Sequence, residues 1–117
     1  MNIETARELC LAQPKATEDM PFGDDYVCFR VMGKIFAGLP LELGNVLVLK
    51  CSPDEFDDLC ERYPTISQAW HWHKKHWIQI QIDADEPTDA NLKEMISNAY
   101  SLVAQKLTKA QRAELGI

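Results

Sequence analysis

Apolar positions recur at helical spacing in three stretches of this chain and alternate, or run together, in four others. Ile3, Ala6, Leu9 and Cys10 lie on one face of a helix predicted over residues 3–13, which Pro14 ends. Residues 26–32 alternate, with Val27, Phe29 and Val31 on one side and Cys28 and Arg30 on the other, as in a half-buried strand. Gly33-Lys34 is expected to form a two-residue hairpin turn into a returning strand, Ile35 to Leu39. Pro40 to Asn45 is a second turn region. The third strand, Val46 to Lys50, is almost continuously apolar, which predicts a place away from the sheet edge.

The second half follows the same logic. Ser52, Pro53, Asp54 and Glu55 combine an N-cap, a first-turn proline and two acids suited to a helix N-terminus. Phe56, Leu59, Cys60 and Tyr63 form the stripe this helix is expected to bury, and Pro64 ends it. Residues 66–72 are ambiguous, with a short strand the reading that fits. His73 to Lys75 is a turn, and His76 to Ile82 is a clean alternating strand. Its isoleucines 78, 80 and 82 face the core, while Trp77, Gln79 and Gln81 face the other side, expected to be solvated. Thr88 caps a helix running to about Leu107, with Leu92, Met95, Ile96, Ala99 and Val103 along its stripe. Thr108 and Gln111 match a capping box for one more short helix.

The order is α-β-β-β-α-(β)-β-α. Hairpins in place of βαβ units imply an α+β fold of two layers, an antiparallel sheet flanked by helices on one face. Residues 1–117 are expected to form one domain, since that length suffices for a core without metal or disulfide staples.

Thr17 to Asp25 reads as a solvated acidic loop. It holds Glu18, Asp19, Asp24 and Asp25, but their spacing matches no calcium loop. Phe22, between Pro21 and Gly23, is expected to be a buried anchor there.

Cysteines at 10, 28, 51 and 60 include no Cys-x-x-Cys pair, and each sits in an apolar pattern. The N-terminal residues show no basic stretch followed by an apolar run, and nothing approaches the roughly 20 apolar residues of a membrane helix. A cytoplasmic protein with free thiols and no membrane contact is therefore expected. The formal net charge is −6 and the isoelectric point about 4.9, which argues against a general polyanion binder.

One segment departs from that balance. Trp70-His71-Trp72-His73-Lys74-Lys75-His76-Trp77 holds all three tryptophans and all three histidines, and no acidic residue occurs from Arg62 to Ile82. Tryptophan faces stack on bases while Lys74, Lys75 and Arg62 can meet phosphate, so single-stranded nucleic acid is one partner class that fits. Duplex fits less well, because no basic recognition helix is visible. A protein partner or a second copy of the chain is the other class, since tryptophan is enriched at interface hot spots. His71, His73 and His76 could supply imidazoles to a metal, with His71 and His73 on one face if residues 70–73 are extended, but the spacing lacks a zinc pairing; metal binding is the least favoured class, and no cofactor is expected. In the plainest reading the rings cap the end of a sheet and the lysines are a solvated turn.

Nothing here points to an enzyme. There is no Ser-His-Asp arrangement, no glycine-rich phosphate loop and no carboxylate pair in an identifiable cleft. Cys51, after Lys50 and before a helix start, is the only nucleophile candidate by position, and its apolar surroundings favour an inert thiol.

Several motifs in order resemble the MmcQ/YjbR family. These are Thr17 to Gly23, Val31 to Ala37, Lys50 with Ser52-Pro53, Tyr63-Pro64, then His71, Lys74 and His76-Trp77, and finally Ser97 to Val103. His71-Trp72-His73-Lys74 stands where the family often has His-Met-Asn-Lys, and Ser97 and Tyr100 stand apart where Ser and Tyr are often adjacent. The resemblance implies a frataxin/CyaY-like fold, and it suggests DNA binding mainly through fold comparison. It brings no catalytic residues; fold alone does not fix function.

Overall fold

The computed structural model describes residues 1–117. Its elements in chain order are α1 (Ile3–Leu11), β1 (Ala16–Asp19), β2 (Tyr26–Val31), β3 (Lys34–Pro40), a short 3-10 turn (Leu41–Leu43) and β4 (Val46–Lys50), then α2 (Pro53–Arg62), β5 (Ile66–Gln68), β6 (Trp77–Gln81), α3 (Asp89–Ala104) and α4 (Lys109–Leu115). The six strands form one antiparallel sheet in the order β1-β2-β3-β4-β6-β5. The α+β class, the hairpin-built sheet and the interior place of β4 agree with the sequence pattern.

The core lies between the sheet and the helices. Phe29, Val31, Phe36, Leu47, Leu49, Ile78 and Ile80 from the sheet meet Ala6 and Cys10 of α1 and Leu92, Ile96, Ala99 and Tyr100 of α3. The expected helix signals act as read. Ser52 caps α2, and Thr88 and Thr108 form capping boxes with Asn91 and Gln111. Tyr100 donates its hydroxyl hydrogen to the Pro14 carbonyl at 2.7 Å, tying α3 to the end of α1.

Five local expectations are corrected. Thr17 to Asp19, read as the start of an acidic loop, belongs to the edge strand Ala16–Asp19 paired to β2, and Glu18 pairs with Arg7 of α1. Phe22 is 60% exposed rather than a buried anchor. The β2–β3 turn is Met32-Gly33, one residue earlier than expected, with both residues at positive φ (48° and 81°) as a tight hairpin of matching twist requires. The α2 stripe is only partly buried, because α2 sits at the rim by the short edge strand β5. Finally, α3 stops at Ala104, so Leu107 packs from the connection that follows.

A bulge explains why β3 does not alternate. Phe29 pairs with Ala37 and Arg30 with Ile35, leaving Phe36 as the extra residue. Phe36 and Ala37 can thereby both enter the helix-side core, while Ile35 and Gly38 turn to the opposite face. Phe36 is fully buried and meets Tyr100 edge-on, with ring centroids 5.4 Å apart. Phe36→Ala is expected to destabilise the fold by about 3–5 kcal/mol, read from the urea midpoint at unchanged m. A loss near that of an exposed substitution would mean that this bulge does not direct Phe36 into the core.

Candidate aromatic and basic sheet face

The face of the sheet turned away from the helices carries its own small cluster. Val48, Ala69 and Trp77 are buried there, and Ile35 and Trp72 pack against them. Trp77 is only 8% exposed, so the outward side of β6 is not uniformly solvated as alternation alone predicts. Trp72 covers Trp77, with centroids 4.3 Å apart.

Trp72 is held from a second side by β2. Its indole Nε1–H donates to the Tyr26 hydroxyl oxygen at 2.8 Å. Tyr26 can lie flat across the sheet because its neighbour is glycine; a Cβ at Gly38 would come within 2.7 Å of the Tyr26 ring. Phe22 adds edge contacts to Tyr26 and Trp72, at 5.9 and 6.0 Å. Burial pushes the Tyr26 hydroxyl up to about 12, so it stays protonated across the physiological range.

The connection from residue 69 to 76 is a compact turn, not an extended segment. His71 and Lys75 adopt positive φ (70° and 65°), unfavourable for residues with a Cβ. Gln68 closes the turn: its Oε1 accepts from the Lys75 N–H at 2.9 Å and its Nε2 donates to the Ala69 carbonyl at 3.0 Å. The imidazoles separate as a result. His71 stacks on Trp70 at 4.9 Å, while His73 and His76 meet each other at 4.6 Å. An extended 70–73 with His71 and His73 on one face is thus replaced, and no group of three potential ligands is placed to hold a metal ion.

The residues singled out in the sequence therefore divide. Trp72, Trp77 and His76 lie on or beside the cluster, Trp70 projects at 78% exposure, and Lys74 is exposed. Lys75 reaches Asp57 at 3.6 Å. Arg62 is not brought to them. It lines a groove of about 650 Å³ between α2 and α3, beside Tyr63 and the carboxylates of Glu55, Asp58, Glu61 and Glu94.

A second groove, of about 420 Å³, opens beside Trp72 and Trp77, and the basic groups of Arg30, Lys34, Lys50 and Lys106 line it without a carboxylate. Arg30 is bonded to Asp19 at 2.9 Å, whereas Lys34, Lys50 and Lys106 have no ion-pair partner. Lys50 extends over the Trp77 ring, its Nζ 5.2 Å from the centroid. Burial, and then the charge of Lys106, lower the Lys50 pKa. Partial loss of water lowers that of His76, and Lys50, His73 and Lys106 push the same way.

Lys34, Lys50, Lys106, Tyr26 and Gln68 escape the sequence reading. Strand parity held a signal for two of them, since Tyr26 and Lys50 occupy the outward positions of β2 and β4. Only the register that sets Lys50 beside Trp77 makes this useful. Lys106 carries no such signal. Cys51, the one positional nucleophile, is buried and its thiol is pushed up to about 11, mainly by desolvation.

The comparisons with known proteins fit this architecture. The YjbR family model matches residues 11–102, most of the chain. This chain belongs to the YjbR family. A relative, the uncharacterised protein YbdF of Escherichia coli O157:H7, is 34% identical over 108 residues, covering 91% of this chain and 87% of its own. The crystal structure of Deinococcus radiodurans protein DR2400, with domain DUF419, superposes with a TM-score of 0.87 at 31% identity. That match covers 99% of this chain and 88% of the other. A crystal structure of a Pseudomonas syringae protein shares the fold, with TM-score 0.71 at 24% identity over 87% of this chain and 98% of its own. No helix of this YjbR-family chain is long and apolar enough to cross a membrane.

The Trp72–Tyr26 bond gives a direct check on the cluster. Tyr26→Phe keeps the ring but leaves the half-buried indole N–H without its acceptor. It is expected to lower stability by about 1 kcal/mol and to move the Trp72 indole proton resonance, with Trp70 unaffected. An unmoved Trp72 signal would mean that the bond does not form in solution.

Proposed function

We propose that this chain is a non-enzymatic, cytoplasmic binding domain that contacts single-stranded nucleic acid with the rim of its outward sheet face, where that face meets the end of α3 at Val103 and Lys106. The observation carrying this reading is the groove at Trp72 and Trp77, in which four basic side chains and no carboxylate gather in a chain of net charge −6. Random surface composition does not favour that segregation, and a local positive field is what draws a polyanion to an acidic protein. Trp70 supplies an exposed ring already stacked on His71, on which a base can lie. Stacking is worth about 1–3 kcal/mol per base, and Lys74 adds a phosphate contact at the same turn. The lack of a basic helix on this face favours a flexible strand over a duplex.

A second reading follows from the exposure of Phe22 and Trp70, 60% and 78% respectively. Exposed aromatic rings beside a packed cluster also suit a protein partner or a second copy of the chain.

Fluorescence separates the two, because every tryptophan lies in this segment. Saturable quenching by a mixed-sequence single-stranded oligonucleotide is expected, weakening about tenfold between roughly 50 and 200 mM salt, as suits two or three phosphate contacts. Trp70→Ala should weaken binding by about tenfold at constant fold stability. Unchanged emission at low salt would remove nucleic acid and leave the protein-partner reading.

A further inference from the structure

The geometry points to a subsite for a phosphate monoester in the smaller groove, where Lys34, Lys50 and Lys106 hold the terminal phosphate of a nucleotide whose base lies along Trp72. It rests on the nucleic-acid reading of this face and names the chemical group the face selects.

Three separate parts of the chain supply the lysines of this groove. Lys34 opens β3, Lys50 ends β4 and Lys106 follows α3, so only the fold gathers them. Surface lysines ordinarily spread into solvent and find carboxylates by chance. Here Asp19 is engaged by Arg30, and the three ammonium groups share a groove without a counter-charge. Lys106 also complements the negative end of α3, but Lys34 and Lys50 have no such role. The stem of Lys50 is partly buried and its ammonium lies over Trp77, which favours this position despite the repulsion from Lys106.

The charge of the ligand follows from that excess. An internal phosphodiester carries a single negative charge, and one lysine can answer it. A monoester carries about −1.5 to −2 at neutral pH and three acceptor oxygens, which suits a groove lined by three lysines, two of which, Lys50 and Lys106, are near enough to repel each other. The groove volume of about 420 Å³ falls within the range of small-ligand sites, enough for one terminal residue. Trp72 and Trp77 line the same groove and give the attached ring an apolar wall.

The test compares one oligonucleotide with and without a 5′- or 3′-terminal phosphate, and a nucleoside monophosphate, by tryptophan fluorescence at low salt. A terminal phosphate at one of the two ends is expected to tighten binding roughly tenfold. Lys34→Ala with Lys106→Ala should reduce that advantage to less than about twofold, while the exposed Lys93→Gln on α3 leaves it intact. Both lysines are exposed, so the double variant is expected to keep its fold; Lys106→Arg, which keeps the charge, should keep the advantage. Tighter binding of the phosphorylated strand than of the monophosphate assigns the subsite to a strand end, and equal binding assigns it to a free nucleotide; both support it. Equal affinity with and without the phosphate overturns the subsite and leaves the strand-binding reading standing. No binding of any oligonucleotide overturns both.

Discussion

The hydrogen bond from the Trp72 indole to the Tyr26 hydroxyl is the constraint on which the outward sheet face depends. It joins a turn near one end of the sheet to a strand three positions away in the order, across β3 and β4. Alone it is worth about 1 kcal/mol. Two positive-φ residues in the same turn, His71 and Lys75, cost about 1–3 kcal/mol each. The turn therefore holds only because several contacts act together: the Gln68 bonds, the Trp72–Trp77 contact and the Phe22 and Tyr26 edges, each aromatic pair adding about 0.5–1.5 kcal/mol. Glycine at 38 is the condition for all of it, since any larger residue would displace the Tyr26 ring.

Charge is sorted by the same architecture. The helix-side groove collects four carboxylates around Arg62, and the groove by Trp72 and Trp77 collects only basic groups. A chain that is acidic overall thus presents a local positive site, which net charge alone does not reveal. That sorting requires no basic run in the sequence. Lys34, Lys50 and Lys106 are far apart along the chain and meet because a hairpin start, a strand end and a helix end share one side of the fold.

Much of this was legible from residue order. Hydrophobic period identified α1, β2, β4, β6 and α3, and cap chemistry located Ser52, Thr88 and Thr108. The misses share a cause, namely interactions that depend on tertiary pairing. β1 is four residues of mixed polarity whose strand state comes from β2, and no local signal separates it from a loop. The β3 bulge lets two consecutive residues face the core, which a strict period of two forbids. At the turn before β6, clustering of tryptophan and histidine was plain in the sequence. It could not show that Trp77 is buried, that Trp72 is bound to Tyr26, or that Arg62 belongs to another groove.

Trp72 is held against the outward face of the sheet, while Trp70 projects from the same turn. Hydrogen exchange of the three indole N–H groups, followed by NMR on the ligand-free protein, measures this difference. Slow exchange is expected at Trp72, protected by the Tyr26 hydroxyl, and fast exchange at Trp70. Equally fast exchange at Trp70 and Trp72 would show that the turn does not hold its tryptophan against the sheet, and the face described here would not exist as a preformed surface.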